Sequence, residues 1–376
     1  MRYATGEEAW NKPRGSIHSA HLPFAWVKYL RLAPLSLLDM GALREYFFYY
    51  ADKGELIIMA MARLLKAKEA ADLVYAVILE HVQEHQRNGI RPRLATLLIE
   101  GDPASAYYAK SKQRIAEKLG IAFDLHSLPA NVSPDELIGL IGTLNADERI
   151  HGIMLELPLP KHLSVTAIVS QIAPLKDIDG VTPANKLATM TGEMGLYPAT
   201  PQACIELLRH YGYTLEGSNV ALIGRGQTVG LPLFHLLQRE QATVTVCHSR
   251  TPDIASHLRS ADIAIVAAGK PGIVNREMVE PNPSLVVIDA GINETADGAI
   301  IGDAAADLSE AAAAVSPVPG GVGTLTTAVL FRNLMEAIQL QLQFQHTNAN
   351  VNLNLNVNLN VNSQANVNLN ANAKGE

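Results

Sequence analysis

Between about residues 55 and 342, short apolar runs alternate with longer helix-forming stretches, and that rhythm leaves few folds open. Residues 60–88 are rich in helix formers and run into Gly89, a natural stop. Leu94 to Ile99 then reads as a short buried strand, Ser105 to Leu119 as a helix ending at Gly120, Pro134 to Leu144 as another helix, and Ile150 to Leu155 as a second strand. Strands separated by helices at this spacing call for a parallel sheet covered by helices, because parallel neighbours need a long crossover. From about residue 201 the rhythm restarts. A helix over 201–211 precedes strands at 220–223, 244–247, 263–268 and 285–289, and a last helix spans roughly 326–342. The expected architecture is two α/β domains, covering 55–200 and 201–325.

Composition removes several function classes. The 376 residues carry 30 Lys+Arg against 37 Asp+Glu, a formal net charge of −7, which argues against a general nucleic-acid binder. Cys204 and Cys247 are the two cysteines, far apart and outside any CxxC pattern, so a disulfide framework is not expected. The histidines show no metal-ligand spacing. No apolar run is long enough to cross a bilayer, and the first residues lack the clean apolar core of a secretory signal. A cytoplasmic protein without a membrane partner is expected.

The ends differ from the middle. Residues 348–362 place Asn at every second position and the pattern resumes at 366–372, so 346–376 reads as a low-complexity tail. Residues 1–54 form an extension of open character, with the aromatic cluster Tyr46-Phe47-Phe48-Tyr49-Tyr50. An amphipathic docking helix or membrane-surface segment fits it, and so does a translated upstream stretch, with the functional start near Met59 or a nearby earlier codon.

The strand at 220–223 leads into Gly224-Arg225-Gly226-Gln227-Thr228-Val229-Gly230 and a helix beginning near Pro232. Glycines there let backbone N–H groups approach a diphosphate, and a helix N-terminus adds a favourable dipole. The spacing, GxGxxxG, is one residue longer than the usual fingerprint, so placement between strand and helix carries the assignment. The next strand ends at His248-Ser249-Arg250, where an NAD-preferring fold usually puts an acid. Ser249, Arg250 and Arg225 offer donors and positive charge suited to a 2′-phosphate, which favours NADP over NAD.

Tyr108 and Lys112 lie four apart in a predicted helix and share a face. Three further segments fall at strand ends or loops: Ile153 to Pro160, Lys176-Asp177-Ile178-Asp179-Gly180, and Pro317 to Thr326. Together and in this order, they make residues 55–342 resemble the methylenetetrahydrofolate dehydrogenase/methenyltetrahydrofolate cyclohydrolase family. The resemblance implies an N-terminal catalytic α/β domain and a Rossmann-type NADP domain with the active-site cleft between them, a last helix (326–342) returning to the first domain and, commonly, a homodimer. It also implies oxidation of 5,10-methylenetetrahydrofolate by NADP, followed in most members by hydrolysis to 10-formyltetrahydrofolate. By the same match Tyr108 stacks on the pterin, Lys112 is the central amine and Asp179 anchors the pterin nitrogens. Leu155, Glu156 and Leu157, with Pro319, Gly320 and Gly321, border the folate; Gly224, Arg225, Gly226, Ser249, Arg250 and Ile292 touch NADP.

One departure from the family pattern has chemical weight. Glu156 stands where Gln is usual. A neutral amide orients Lys112 without adding charge, whereas a carboxylate favours the ammonium by roughly one to three pKa units. Hydride transfer, which chiefly needs positioning, is expected to survive. The cyclohydrolase step, which needs proton movement, is expected to weaken. Thr324-Leu325 replaces Pro-Met in the glycine-rich loop, Ile99-Glu100-Gly101-Asp102 replaces Val-Gly-Asp-Asn, and Met59-Ala60-Met61 replaces Asp-Gly-Lys near the family's start. The competing reading is a catalytically silent paralogue with a binding or regulatory role. Retention of Tyr108, Lys112 and Asp179 argues against it.

Overall fold

The computed structural model describes residues 46–50, 56–60, 62–295 and 298–345. The Asn-rich tail and most of the amino-terminal extension lie outside the described residues. In a unit of its own, β1 (Tyr46–Tyr50) pairs antiparallel with β2 (Leu56–Ala60).

From residue 62 the chain runs β3 (Arg63–Leu64), α1 (Lys68–Arg87), β4 (Arg93–Ile99), α2 (Pro103–Leu119), β5 (Ala122–Leu128), α3 (Pro134–Ala146) and β6 (Gly152–Leu155). Next come α4 (Val165–Val169), α5 (Pro183–Thr191) and α6 (Ala199–His210). The second lobe follows with β7 (Asn219–Ile223), α7 (Gly230–Arg239), β8 (Thr243–Cys247), α8 (Ile254–Arg259), β9 (Ile263–Val266), α9 (Arg276–Val279) and β10 (Val286–Asp289). It closes with the short strands β11 (Asn293–Glu294), β12 (Ile300–Ile301) and β13 (Ala314–Val315), then a helix over 322–345, here α10.

Strands β5-β4-β6 form one parallel sheet and β3-β13-β10-β9-β7-β8 a second, also parallel. Ala95, Leu97, Ile153 and Leu155 pack beneath α3 and α4, with Leu137, Ile141 and Ile168. On the opposite face Leu94 and Met154 join a core that includes Ile78 of α1, Ala116 of α2 and Phe331 of α10, and that continues through Val220 and Ile263 of the second sheet. One apolar core thus serves both lobes. Asn333 of α10 is fully buried, and its amide donates to the carbonyls of Ile178 (2.8 Å) and Tyr197 (2.9 Å). Gln341 likewise donates to His151 and Leu175. The last helix does return to the first lobe.

Local chemistry explains the helix ends near the site. Asp102 caps α2 by accepting from Ser105 N at 3.0 Å, Pro103 occupies the first turn, and Gly120 at φ 73° terminates it. A Ser133/Glu136 capping box starts α3.

Two expectations need correction. Residues 60 and 62–67 are not helical: Ala60 ends β2, and Arg63 N and Leu65 N donate to Ala313 O and Val315 O, so pairing with β13 overrides helix propensity. The last helix begins at residue 322 rather than 326. Val322 and Leu325 are buried in the core, and that burial draws the first helical turn out of the glycine-rich segment. Among the described residues no helix is long and apolar enough to cross a membrane.

Candidate active site

Three ionisable groups of the first lobe converge. Lys112, two turns into α2, donates from Nζ to both oxygens of Glu156, at 2.8 and 2.9 Å. The lysine side chain is 17% exposed and the glutamate 7%, so the pair is largely withdrawn from water. Glu156 follows β6 directly; its N–H donates to Leu97 O, which extends the sheet by one bond and fixes the carboxylate on the α2 side. Asp179 is the third member. It is half-buried and makes no hydrogen bond among the described residues. Burial pushes its pKa up to about 7; the Lys112 charge opposes this, while Asp177 and Glu156 add to it.

The turn that presents Asp179 is built by its neighbours. Lys176, buried, donates to the carbonyls of Leu144, Asn145 and Asp147 and so caps the C-terminus of α3. Asp177, fully buried, accepts from Val181 N, Thr182 N and the Asn185 amide. At Gly180 (φ 67°) a Cβ would lie 2.6 Å from Leu196 O, so no other residue fits. Ser105 Oγ reaches Leu157 O at 3.1 Å, tying the start of α2 to the loop that carries Glu156.

Tyr108 lies one turn before Lys112, half-buried, its ring edge-on to Tyr107 at 6.0 Å. Its pKa is raised, by burial first and then by the charges of Tyr107 and Glu294. Glu294 belongs to β11 of the second lobe, so a charge of that lobe bears on Tyr108. Not every residue from the expected set joins this cluster. The side chain of Leu155 packs in the opposite core with Leu97 and Ile153, while Leu157 is 40% exposed. Pro319 and Gly320 are exposed, Gly321 is buried, and Gly320 O accepts from Ala67 N.

In the second sheet the order places β8 and β9 on either side of β7, so the chain changes direction there. In such open sheets ligands bind outside the carboxyl ends of the strands at that switch point. Gly224, Arg225 and Gly226 stand at the end of β7, Ser249 and Arg250 after β8, and Ile292, 58% exposed, after β10. All six therefore share one edge. At Gly224 (φ 117°) a Cβ would lie 2.0 Å from Ala267 O, and at Gly230 one would lie 2.4 Å from Gly224 O. Gly226 has open space instead. The N–H groups of residues 225–229 donate to no backbone carbonyl among the described residues, leaving donors for an anion at the head of α7. His248 braces the neighbouring turn: its N–H donates to Thr251 Oγ1, and its Nδ1 accepts from Arg250 N.

Several supporting residues escape a reading of motifs. Asn333, Asp289 and Asp303 act across long sequence separations, and their local sequences carry no sign of their partners. Asp177 does stand inside the Lys176–Gly180 segment, so the signal was present but its structural work was not legible.

Fold and site together define a two-lobed α/β enzyme with a dinucleotide-binding half. Residues 65–179 match the catalytic domain of tetrahydrofolate dehydrogenase/cyclohydrolase, and residues 198–342 match the NAD(P)-binding domain of the same family. The chain belongs to this family. It is 51% identical over 280 residues to the bifunctional protein FolD of Heliobacterium modesticaldum, covering 74% of this chain and 97% of that one. A crystal structure of the bifunctional FolD methylenetetrahydrofolate dehydrogenase/cyclohydrolase of Campylobacter jejuni superposes with a TM-score of 0.71 at 36% identity, over 74% of this chain and 99% of that one. The Trypanosoma brucei enzyme, solved with NADP cofactor and an inhibitor, gives 0.71 at 35% identity, over 76% and 99%.

Proposed function

We propose that the chain transfers hydride from 5,10-methylenetetrahydrofolate to NADP, giving 5,10-methenyltetrahydrofolate, and hydrolyses that product to 10-formyltetrahydrofolate. The carrying observation is the withdrawn Lys112–Glu156 pair with a free Asp179 carboxylate beside it. The first lobe, 55–200 with the returning helix, holds the folate; the second, 201–325, holds NADP. Tyr108 supplies a flat face for the pterin, and Asp179 accepts from its amino and ring nitrogens. Residues 225–229 receive the diphosphate, and Arg225, Ser249 and Arg250 the 2′-phosphate. NADP supplies the hydride acceptor; the protein aligns donor and acceptor and excludes water. A cytoplasmic homodimer belongs to this reading, on family resemblance. An absorbance assay following NADPH and methenyl-folate together tests the reaction; absence of NADP-dependent oxidation in the folded protein would refute it.

Glu156 sets the balance between the two steps. Two hydrogens of the Lys112 amine are committed to a carboxylate, where an amide would leave the amine freer to exchange protons with water and pterin. Glu156→Gln is expected to raise hydrolysis about tenfold, with hydride transfer changed no more than about twofold. Robust wild-type hydrolysis that the substitution leaves unaltered would contradict this.

Asp179 predicts a pH dependence. Its carboxylate must be ionised to accept two donors, so KM for the folate should rise as pH falls below about 7. The limiting slope is about tenfold per unit. Asp179→Asn should raise KM throughout and flatten the profile. The stability sign is opposite: the folded state retains a proton between 3.8 and about 7, so stability falls as pH rises through that window. A pH-independent KM in the wild type would remove Asp179 from the binding step.

A further inference from the structure

The second lobe contains a buried carboxylate knot that none of the site residues above explains. Asp303, fully buried, accepts from Ala268 N (2.6 Å) and Gly269 N (2.8 Å) through one oxygen, and from the Asn293 amide (2.8 Å) through the other. Asp289, at the end of β10, accepts from Gly291 N, Asp303 N and Ala304 N. The packing admits no side chain between them: a Cβ at Gly291 would lie 2.3 Å from the Asp303 carboxyl carbon, and one at Gly302 would lie 1.8 Å from an Asp289 oxygen.

The loops held in this way matter by position. Ala267 to Gly269 follow β9, beside the β7–β9 switch point, and Ala267 O is the atom against which Gly224 is closed down. Residues 290–294 follow β10 and present the exposed Ile292 from the same edge. One carboxylate therefore ties together the two loops that border the dinucleotide loop on the side away from β8. Hydrogen bonds from backbone and amide donors to a charged acceptor are among the strongest available to hold such a loop. Fixing it before binding removes an ordering cost from the complex.

We propose that Asp303 is a positioning residue that, through Ala268, Gly269 and Asn293, sets the wall against which the nicotinamide end of NADP is placed. This rests on the assignment of the dinucleotide to this edge. Its effect should fall on the nucleotide and the hydride step, and not on binding of the folate alone.

The test is a reversal of one hydrogen bond. In Asp303→Asn the oxygen can still accept from residues 268 and 269, but the charge is lost and the Asn293 amide must turn over to offer its oxygen to the new donor. Asn293→Asp places two carboxylates together. In the double variant Asp303→Asn with Asn293→Asp, an amide again faces a carboxylate with the direction exchanged. Each single variant is expected to raise KM for NADP about tenfold and to lower kcat, with folate affinity measured without NADP unchanged. The double variant should recover at least half of that loss on a logarithmic scale. Should Asp303→Asn fail to fold, Asn293→Ala keeps the 268–269 anchor and should still raise KM for NADP. Unchanged NADP parameters in a folded single variant, equal losses for both ligands, or a double variant no better than the singles would each overturn the proposal. Failure of the wild type to bind NADP at all would instead overturn the site assignment on which it stands.

Discussion

Lys112→Met should abolish ring opening and destabilise the fold at the same time. On the role proposed for Lys112, the activity loss follows from the removal of the group that moves protons at the reacting centre, worth about 10²- to 10⁴-fold. The stability loss has a separate origin. Glu156 is 7% exposed and has Lys112 as its ion-pair partner, with Nζ at 2.8 Å. Removing one half of such a pair leaves an uncompensated charge in a dry site, at about 3–5 kcal/mol. The two losses can be separated. Lys112→Met with Glu156→Leu removes both charges, so thermal stability should return toward the wild type while hydrolysis stays lost. A single variant that keeps full hydrolysis would end the assignment of Lys112, whatever its melting temperature.

The second large effect is expected at Gly224→Ala. The new methyl would be built 2.0 Å from Ala267 O and 2.5 Å from its carbonyl carbon, at a φ of 117° that side chains rarely adopt. Neither obstacle is a flexible side chain, so the ends of β7 and β9 must move apart. A cost above about 4 kcal/mol is expected, enough to unfold many domains. Circular dichroism melts and quenching of NADPH fluorescence would report both outcomes. Gly226→Ala is the control: its Cβ meets nothing within 4 Å and its φ is unexceptional, so the fold should stand. Any loss of nucleotide affinity there would report a ligand close to the backbone at Gly226.

What the sequence made legible follows the distance over which each feature is determined. Buried runs such as 220–223 and 263–266 are continuously apolar, and α2 carries its own start and stop in Asp102, Pro103 and Gly120. Strand β5, Ala122 to Leu128, carries no continuous apolar run, because an edge strand half-open to solvent tolerates Asp124, His126 and Ser127. The two-residue strands β3 and β13 exist through each other and through β10; nothing within either segment forces them. Within the site, Tyr108, Lys112, Glu156 and Asp179 could be named from the family's motif order. The bidentate geometry, the orphaned Asp179 carboxylate and the opposite facing of Leu155 depend on how α2 lies on its sheet. The early start of α10 has a similar cause: the glycines at 320, 321 and 323 read as loop, and only the core beneath Val322 and Leu325 draws Gly323 into the helix.

The return of α10 has a consequence for biogenesis. Phe331 and Asn333 complete the interior around Ile178 and Leu94, which are translated some 150 and 240 residues earlier. A nascent first lobe therefore emerges from the ribosome with its interior unfinished, and stays so until 322–345 are made. Chaperones that shield apolar surface would find their substrate during that interval, and a stop codon within the final helix would cripple the lobe made first.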